Sequence, residues 1–272
     1  MKQLALFITL CLAGFSFINY KISDGKIPNN QIIKTEEVDY TTDGVTMKGF
    51  IAYDESNYKK RPAVLVVPEW WGLTDYAKNR AKQLAQLGYI AMAVDMYENG
   101  LVADNPTDAG KSSTPFYKNL QMTKERFDAA LAKIKTFRQT DTSKIAAIGY
   151  CFGGGIVLNM ARMGDNLNGV VSFHGELIGA PADKNLLKAK ILVCHGAEDK
   201  FVSTEEVTLF KHQMDSIGAD YTLKIYPGAT HAFTNPAATA LGQKFSLPIA
   251  YNAAADKASW ADMKEFFGKI FE

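Results

Sequence analysis

Cys151 lies in Gly149-Tyr150-Cys151-Phe152-Gly153-Gly154, between an apolar run over 144–150 and a segment of helical spacing over 153–164. A small-x-nucleophile-x-small sequence where a strand becomes a helix is the pattern of a nucleophile elbow. The central backbone is strained there, and only glycine-like neighbours fit around it. A helix that begins at such a turn directs its dipole and its first free N–H groups at Cys151, favouring a thiolate there and an oxyanion beside it. A glycine-rich turn can also hold phosphate. Against phosphate, the Gly-x-Gly-x-x-Gly register and a following Gly-Lys-Ser/Thr are missing.

A cysteine nucleophile needs a base, and the base needs an orienting group. With the nucleophile on such a turn, acid then histidine follow it along the chain, which selects Asp199 after "ILVCHGAED" and His231 in "YPGATHAF". Both fall just past strand-like runs. Glu198 is a rival acid, a turn cap is the other reading of Asp199, and a solvated loop histidine is the other reading of His231. His174 and His195 also follow strands, but His174 precedes the acid and His195 lies inside the acid's own loop; His212 falls mid-helix.

The elements that must position these residues show as alternation. Strand-like runs over 45–53, 61–69, 89–97, 144–150, 167–175, 189–199 and 220–228 alternate with helical runs over 75–88, 123–139, 153–164, 203–218 and 256–271. That predicts a doubly wound α/β domain, a mostly parallel central sheet with helices on both faces. Ligands bind such sheets beyond the carboxyl ends of the strands, where Cys151, Asp199 and His231 all fall. Residues 98–120 read as a long excursion over the site.

The 272 residues, 47% hydrophobic and 22% charged, suit one large core, expected over 38–272. Thirty basic against 29 acidic residues leave a net charge of +1 with no long run of either sign, which excludes a nucleic-acid footprint and favours a small-molecule partner. After Met1-Lys2, the apolar stretch Leu4 to Ile18 has the length of a signal-peptide core and is short for a membrane span. Residues 1–18 are therefore read as a signal peptide and 19–37 as a lead-in. The mature chain is expected to be exported, periplasmic or secreted, with no stable membrane span; an uncleaved anchor is the alternative. Cys11 would leave with the signal. Cys151 and Cys194, one strand apart at about 4.8 Å per strand, would lie near 10 Å from each other, too far for a disulfide. Cys151 is thus expected to be a free thiol.

From about Val38 to the C-terminus the chain resembles the dienelactone hydrolase family of α/β-hydrolases, through "VVPEWWG", "DMYENG", "IGYCFGG", "HGAEDKFV" and "GATHAF" in that order. The resemblance implies an α/β-hydrolase fold and a cysteine hydrolase of lactones or esters without metal or organic cofactor. It implies Cys151, Asp199 and His231 as the triad, and Glu69 of "PEWWG" as a carboxylate that contacts the cysteine and takes part in its activation. On its own residues, Glu69 follows the buried run "AVLVV" at a site position, where a rim carboxylate without chemical role is the other reading. The second oxyanion donor in this fold comes from the loop after the third strand, so the backbone N–H groups of Trp70 and Phe152 are the expected pair. The Trp70 and Trp71 rings would wall the pocket or simply pack.

In dienelactone-cleaving members two arginines hold the substrate carboxylate; Asn99 and Asn235 stand at those positions here. A substrate without that carboxylate is expected, unless Lys111 or Lys118 reaches in from the excursion. The expected partner is a small ester or lactone, opened through a Cys151 thioester by a monomer or weak homodimer. A non-catalytic ligand-binding relative and a thiol redox protein are the competing functions, and the second lacks a resolving cysteine.

Overall fold

The computed structural model describes residues 31–272; the signal-peptide reading and Cys11 lie outside the described residues. An antiparallel hairpin, β1 (Ile33–Thr42) and β2 (Val45–Asp54), forms one edge of an eight-stranded sheet. Strands β3 (Arg61–Val67), β4 (Ile90–Ala93), β5 (Thr140–Tyr150), β6 (Gly169–Phe173), β7 (Lys190–Gly196) and β8 (Tyr221–Tyr226) run parallel to one another in the order β1-β2-β4-β3-β5-β6-β7-β8. The mostly parallel sheet expected from the alternation is the one that forms.

Both faces of this sheet are buried, which is why β3 reads as an unbroken apolar run. Ala63, Leu65 and Val67 face one core with residues of α3 (Leu120–Lys135), α4 (Phe152–Arg162) and α5 (Thr204–Ile217). Val64 and Val66 face the other, with α1 (Asp75–Gln86) and α7 (Ala253–Ile270). Each such side chain contributes about 1.5–3 kcal/mol on burial. The remaining helices, α2 (Pro106–Lys118) and α6 (Ala238–Phe245), supply Ala109, Leu241 and Phe245 to a smaller cluster around Trp71.

Several elements depart from the sequence reading. Among the described residues the first strand, β1, begins at Ile33, ahead of the expected domain start at Val38. β4 stops at Ala93 instead of continuing to Tyr97, because the Asp95 carboxylate accepts the N–H groups of Lys48, Tyr97 and Gly100 at 2.7–3.0 Å and turns the chain outward. The excursion over 98–120 contains a true helix, α2, whose Asn105 caps it by accepting from Asp108 N and whose first residue is Pro106. Gly110, Ser112, Ser113, Thr114 and Pro115 hide its period. The last departure is α6, which the sequence reading passed over.

The turn after β5 is a close approach of backbones. A Cβ on Gly149 would lie 2.0 Å from Gly153 O, and one on Gly153 would lie 2.3 Å from Val67 O. Gly149→Ala and Gly153→Ala are therefore each expected to cost roughly 1–3 kcal/mol or more in urea unfolding. Gly268→Ala, on the exposed side of α7 with no atom within 4 Å of the added carbon, is expected to stabilise by about 0.5–1 kcal/mol. A Gly149→Ala or Gly153→Ala protein as stable as the parent would refute the close approach.

Candidate active site

Cys151 ends β5 and caps α4 with φ 53° and ψ −115°, a region that favours glycine and costs a side-chain-bearing residue about 1–3 kcal/mol. The surroundings hold it there. Cys151 N donates to Phe173 O at 3.0 Å and to His174 Nδ1 at 3.1 Å, while Gly153 N donates to Pro68 O at 3.1 Å. Phe152 N–H belongs to the first helical turn, where no intrahelical acceptor exists. The Phe152 ring packs against Tyr97, Phe116 and Tyr117, with centroids 5.5–5.8 Å apart.

Asp199 and His231 come together across the ends of β7 and β8. The Asp199 side chain is fully buried; Oδ2 lies 2.8 Å from His231 Nδ1, and Oδ1 accepts from Phe201 N at 2.8 Å and Val202 N at 3.2 Å. The two loops fit because Gly196 carries no side chain: a Cβ there would lie 2.4 Å from Ala229 O. Burial works against a charged His231, but the adjacent Cys151 and Asp199 outweigh it and raise the imidazole to about 10. Of the rival residues, Glu198 is exposed, His212 is exposed on α5, and His195 is buried on β7 with burial lowering its pKa.

Glu69 is 3% exposed just past β3, and its Oε2 accepts from Asn235 Nδ2 at 2.6 Å. Burial pushes its carboxyl up to about 7, against the hydrogen bond from Asn235 and the charges of His231 and Arg80. Glu69 and Cys151 line one cavity, yet no hydrogen bond joins them among the described residues; the hydrogen-bonding partner of Glu69 is Asn235.

That cavity has a volume of about 420 Å³, the size of a small-molecule site. Cys151, Phe152 and His231 form its floor, Trp70 and Trp71 part of its wall. Gly110, Ser113, Thr114 and Tyr117 project into it from one face of α2, so the excursion does cover the site. Trp70 is held by Tyr97 Oη, which donates to its carbonyl at 2.7 Å, and Trp71 packs edge-on against it with centroids 5.1 Å apart. Among the described residues no lysine or arginine lines the cavity, whereas Glu69 and Glu176 do. Lys111 pairs with Asp108 in solvent and Lys118 is exposed, so neither fills the role of a missing arginine. Asn99 does not line this cavity either: it lines a separate hollow with Lys48 and Lys78, its N–H donating to Thr46 O at 2.9 Å.

One buried residue escaped the sequence reading. His174 was set aside there by its place in chain order, but its ring meets Cys151 N on one side and Thr234 Oγ1 on the other, at 2.7 Å. The available signal was its position immediately after the strand next to β5.

A parallel sheet with a cysteine on the strand-to-helix turn after β5, and an Asp–His pair beyond β7 and β8, defines an α/β-hydrolase. Residues 47–271 match the dienelactone hydrolase family, and the chain belongs to that family of hydrolases. It is 33% identical over 203 residues to "Protein usf" of Aquifex pyrophilus, covering 73% of this chain and 86% of that one. A protein of Aquifex aeolicus named "Putative carboxymethylenebutenolidase" is 32% identical over the same shares. The crystal structure of a dienelactone-hydrolase-like promiscuous phosphotriesterase from metagenomic libraries superposes with a TM-score of 0.82 at 33% identity, covering 88% of this chain and 98% of that one.

The environment of Glu69 yields a pH-dependent expectation. A carboxyl whose folded pKa is raised contributes full stability below its free value of 4.5 and loses it as pH rises through about 7. Glu69→Gln removes that dependence. Its unfolding free energy relative to the parent is expected to rise by roughly 3 kcal/mol between pH 4 and pH 8, from denaturant titrations at each pH. An unchanged difference across that range would refute a buried, ionising Glu69.

Proposed function

We propose that this protein hydrolyses a carboxylic ester or lactone through a thioester on Cys151. The observation that carries the reading is the buried 2.8 Å contact between Asp199 and His231 at the cavity that also holds Cys151. His231, oriented by Asp199, takes the Cys151 proton, and the thiolate sulfur adds to the substrate carbonyl. The Phe152 and Trp70 N–H groups receive the negative oxygen. His231 then protonates the departing alkoxide, leaving an acyl-thioester. Water attacks that carbonyl with its proton passing to His231, and collapse releases the acid and restores the thiol. The Glu69 carboxylate lines the same cavity, where its charge favours the imidazolium that His231 becomes on taking the Cys151 proton.

A substrate without a free carboxylate suits the cavity. Glu69 and Glu176 line it, and Asn235 is spent on Glu69. The phosphotriesterase activity of the metagenomic relative makes neutral phosphotriesters a second class to assay. The reading extends to an exported enzyme, supported by the apolar stretch from Leu4 to Ile18 behind Lys2.

Cys151→Ala is expected to lower hydrolysis of a short-chain aryl ester by several orders of magnitude while leaving thermal unfolding unchanged, and the parent is expected to be inactivated by iodoacetamide. Asp199→Asn and His231→Ala should each reduce turnover far more than Glu198→Gln, with the double variant little worse than either alone. Activity retained in Cys151→Ala would end the proposal. Charge preference is read separately, by comparing kcat/KM for a neutral aryl ester and its carboxylate-bearing analogue. The neutral ester should be preferred by roughly tenfold or more, the equivalent of one unfavourable charge contact. A preference for the anion would overturn the neutral-substrate reading and leave the cysteine mechanism standing.

A further inference from the structure

His174 occupies a position that packing alone does not explain. It is 1% exposed and holds φ 41°, a positive value that is uncommon for a residue with a side chain. Its own N–H donates to Cys194 O at 2.8 Å, which anchors it to β7. Its ring then makes two hydrogen bonds whose directions can be assigned. Cys151 N is a donor, so Nδ1 must accept; the ring proton therefore sits on Nε2 and is donated to Thr234 Oγ1 at 2.7 Å. Burial holds the ring neutral, and the charges of His231, Arg80 and His195 around it act in the same direction.

Thr234 stands three residues after His231 and is itself fully buried. Its Oγ1 lies 2.6 Å from Tyr76 Oη, and its carbonyl accepts from Arg80 at 2.8 Å. Arg80 is in turn paired with Asp256 of α7. The His174 ring also meets the His231 ring edge-on, with centroids 5.2 Å apart. A single neutral imidazole thus joins the turn that carries Cys151 to the loop that carries His231. The anchor on its far side runs through α1 into α7.

The geometry points to His174 as a positioning residue: through Cys151 N and Thr234 it sets the separation between the Cys151 sulfur and the His231 ring. This rests on the reading of Cys151 and His231 as a reacting pair. It requires a neutral ring, because a protonated Nδ1 would turn a donor towards the Cys151 N–H. It also gives a role to the positive φ of 41° at His174, from which the ring reaches both loops. The effect passes through other residues, so His174 touches no reacting atom.

The test compares the full chain with His174→Phe, His174→Asn and Thr234→Val. Phe keeps a ring and removes both hydrogen bonds. Asn places an oxygen near Nδ1 and tolerates the left-handed backbone. The readouts are the rate of Cys151 alkylation by iodoacetamide across pH, kcat/KM and KM for a neutral aryl ester, and the thermal midpoint. His174→Phe is expected to slow alkylation at neutral pH by roughly ten- to a hundredfold, as does a misplacement of about 1 Å between reacting groups. The pH profile of its alkylation should shift as the Cys151 sulfur loses its fixed distance from the His231 ring. kcat/KM should fall in parallel with KM changed by less than about twofold. His174→Asn should recover most of the loss, and Thr234→Val should fall between.

A folded His174→Phe protein with the parental alkylation profile would overturn the inference, as would His174→Asn no better than His174→Phe. If His174→Phe does not fold, Thr234→Val decides: an unshifted alkylation profile overturns the inference and a shifted one supports it. Alkylation needs no substrate, so a parent that alkylates at Cys151 but hydrolyses no ester would defeat the proposed function while this comparison still stands or falls on its own result.

Discussion

The backbone at Cys151 is the constraint on which the rest of the site depends. A residue with a side chain is held at φ 53° with a glycine two positions to either side, and α4 starts against the carbonyls of Val67 and Pro68, where Gly153 leaves no room for a side chain. That close approach brings the end of β3 against the start of α4. It therefore places Glu69 and Trp70 beside Cys151 and Phe152 in one cavity. Two further side-chain-bearing residues at the same sheet edge, His174 and Ala232, also hold left-handed backbones. At Cys151 and His174 that backbone is held by hydrogen bonds to buried neighbours, Cys151 N to Phe173 O and His174 N to Cys194 O.

Burial then sets the electrostatics. The same enclosure pushes the Glu69 carboxyl up and the His174 ring down, since both are harder to charge away from water. His231 goes the other way only because an acid and a thiol stand next to it. Two neighbouring histidines are thereby separated: His231 is made readier to hold a proton, and His174 is held neutral. The division needs no difference in their own chemistry, only in what faces them.

The lid and the recognition surface follow a different logic. α2 presents Gly110, Ser113, Thr114 and Tyr117 to the cavity, small residues and one large ring. Its own stability comes from the Asn105 cap and from Ala109 and Phe116 packed beneath it, not from helix propensity. The absence of lysine and arginine from the described lining makes hydrogen bonding, shape and aromatic contact the means of selection.

The sequence by itself determined the layered α/β fold, the glycine-flanked turn that carries Cys151 and the order Cys151, Asp199, His231. Each is written in local signals: unbroken apolar strands, glycines two residues either side of the cysteine, and residues placed just past strand ends. It also marked Asn235 as the residue standing where a cation would otherwise be. Only the tertiary structure decided what those residues touch. β1 and α2 were hidden because their residues acquire their partners at long range, β1 from β2 and α2 from the Trp71 cluster. β4 ended early because Asp95 finds three N–H donors, two of them beyond the strand and one from β2. Glu69 turned to Asn235, Asn99 lined a different hollow, and His174 met Thr234, 60 residues further along the chain. A chain pattern records which faces are apolar and where turns are possible. Which polar atoms meet is decided by loops packing from separate strands, and no local period encodes that.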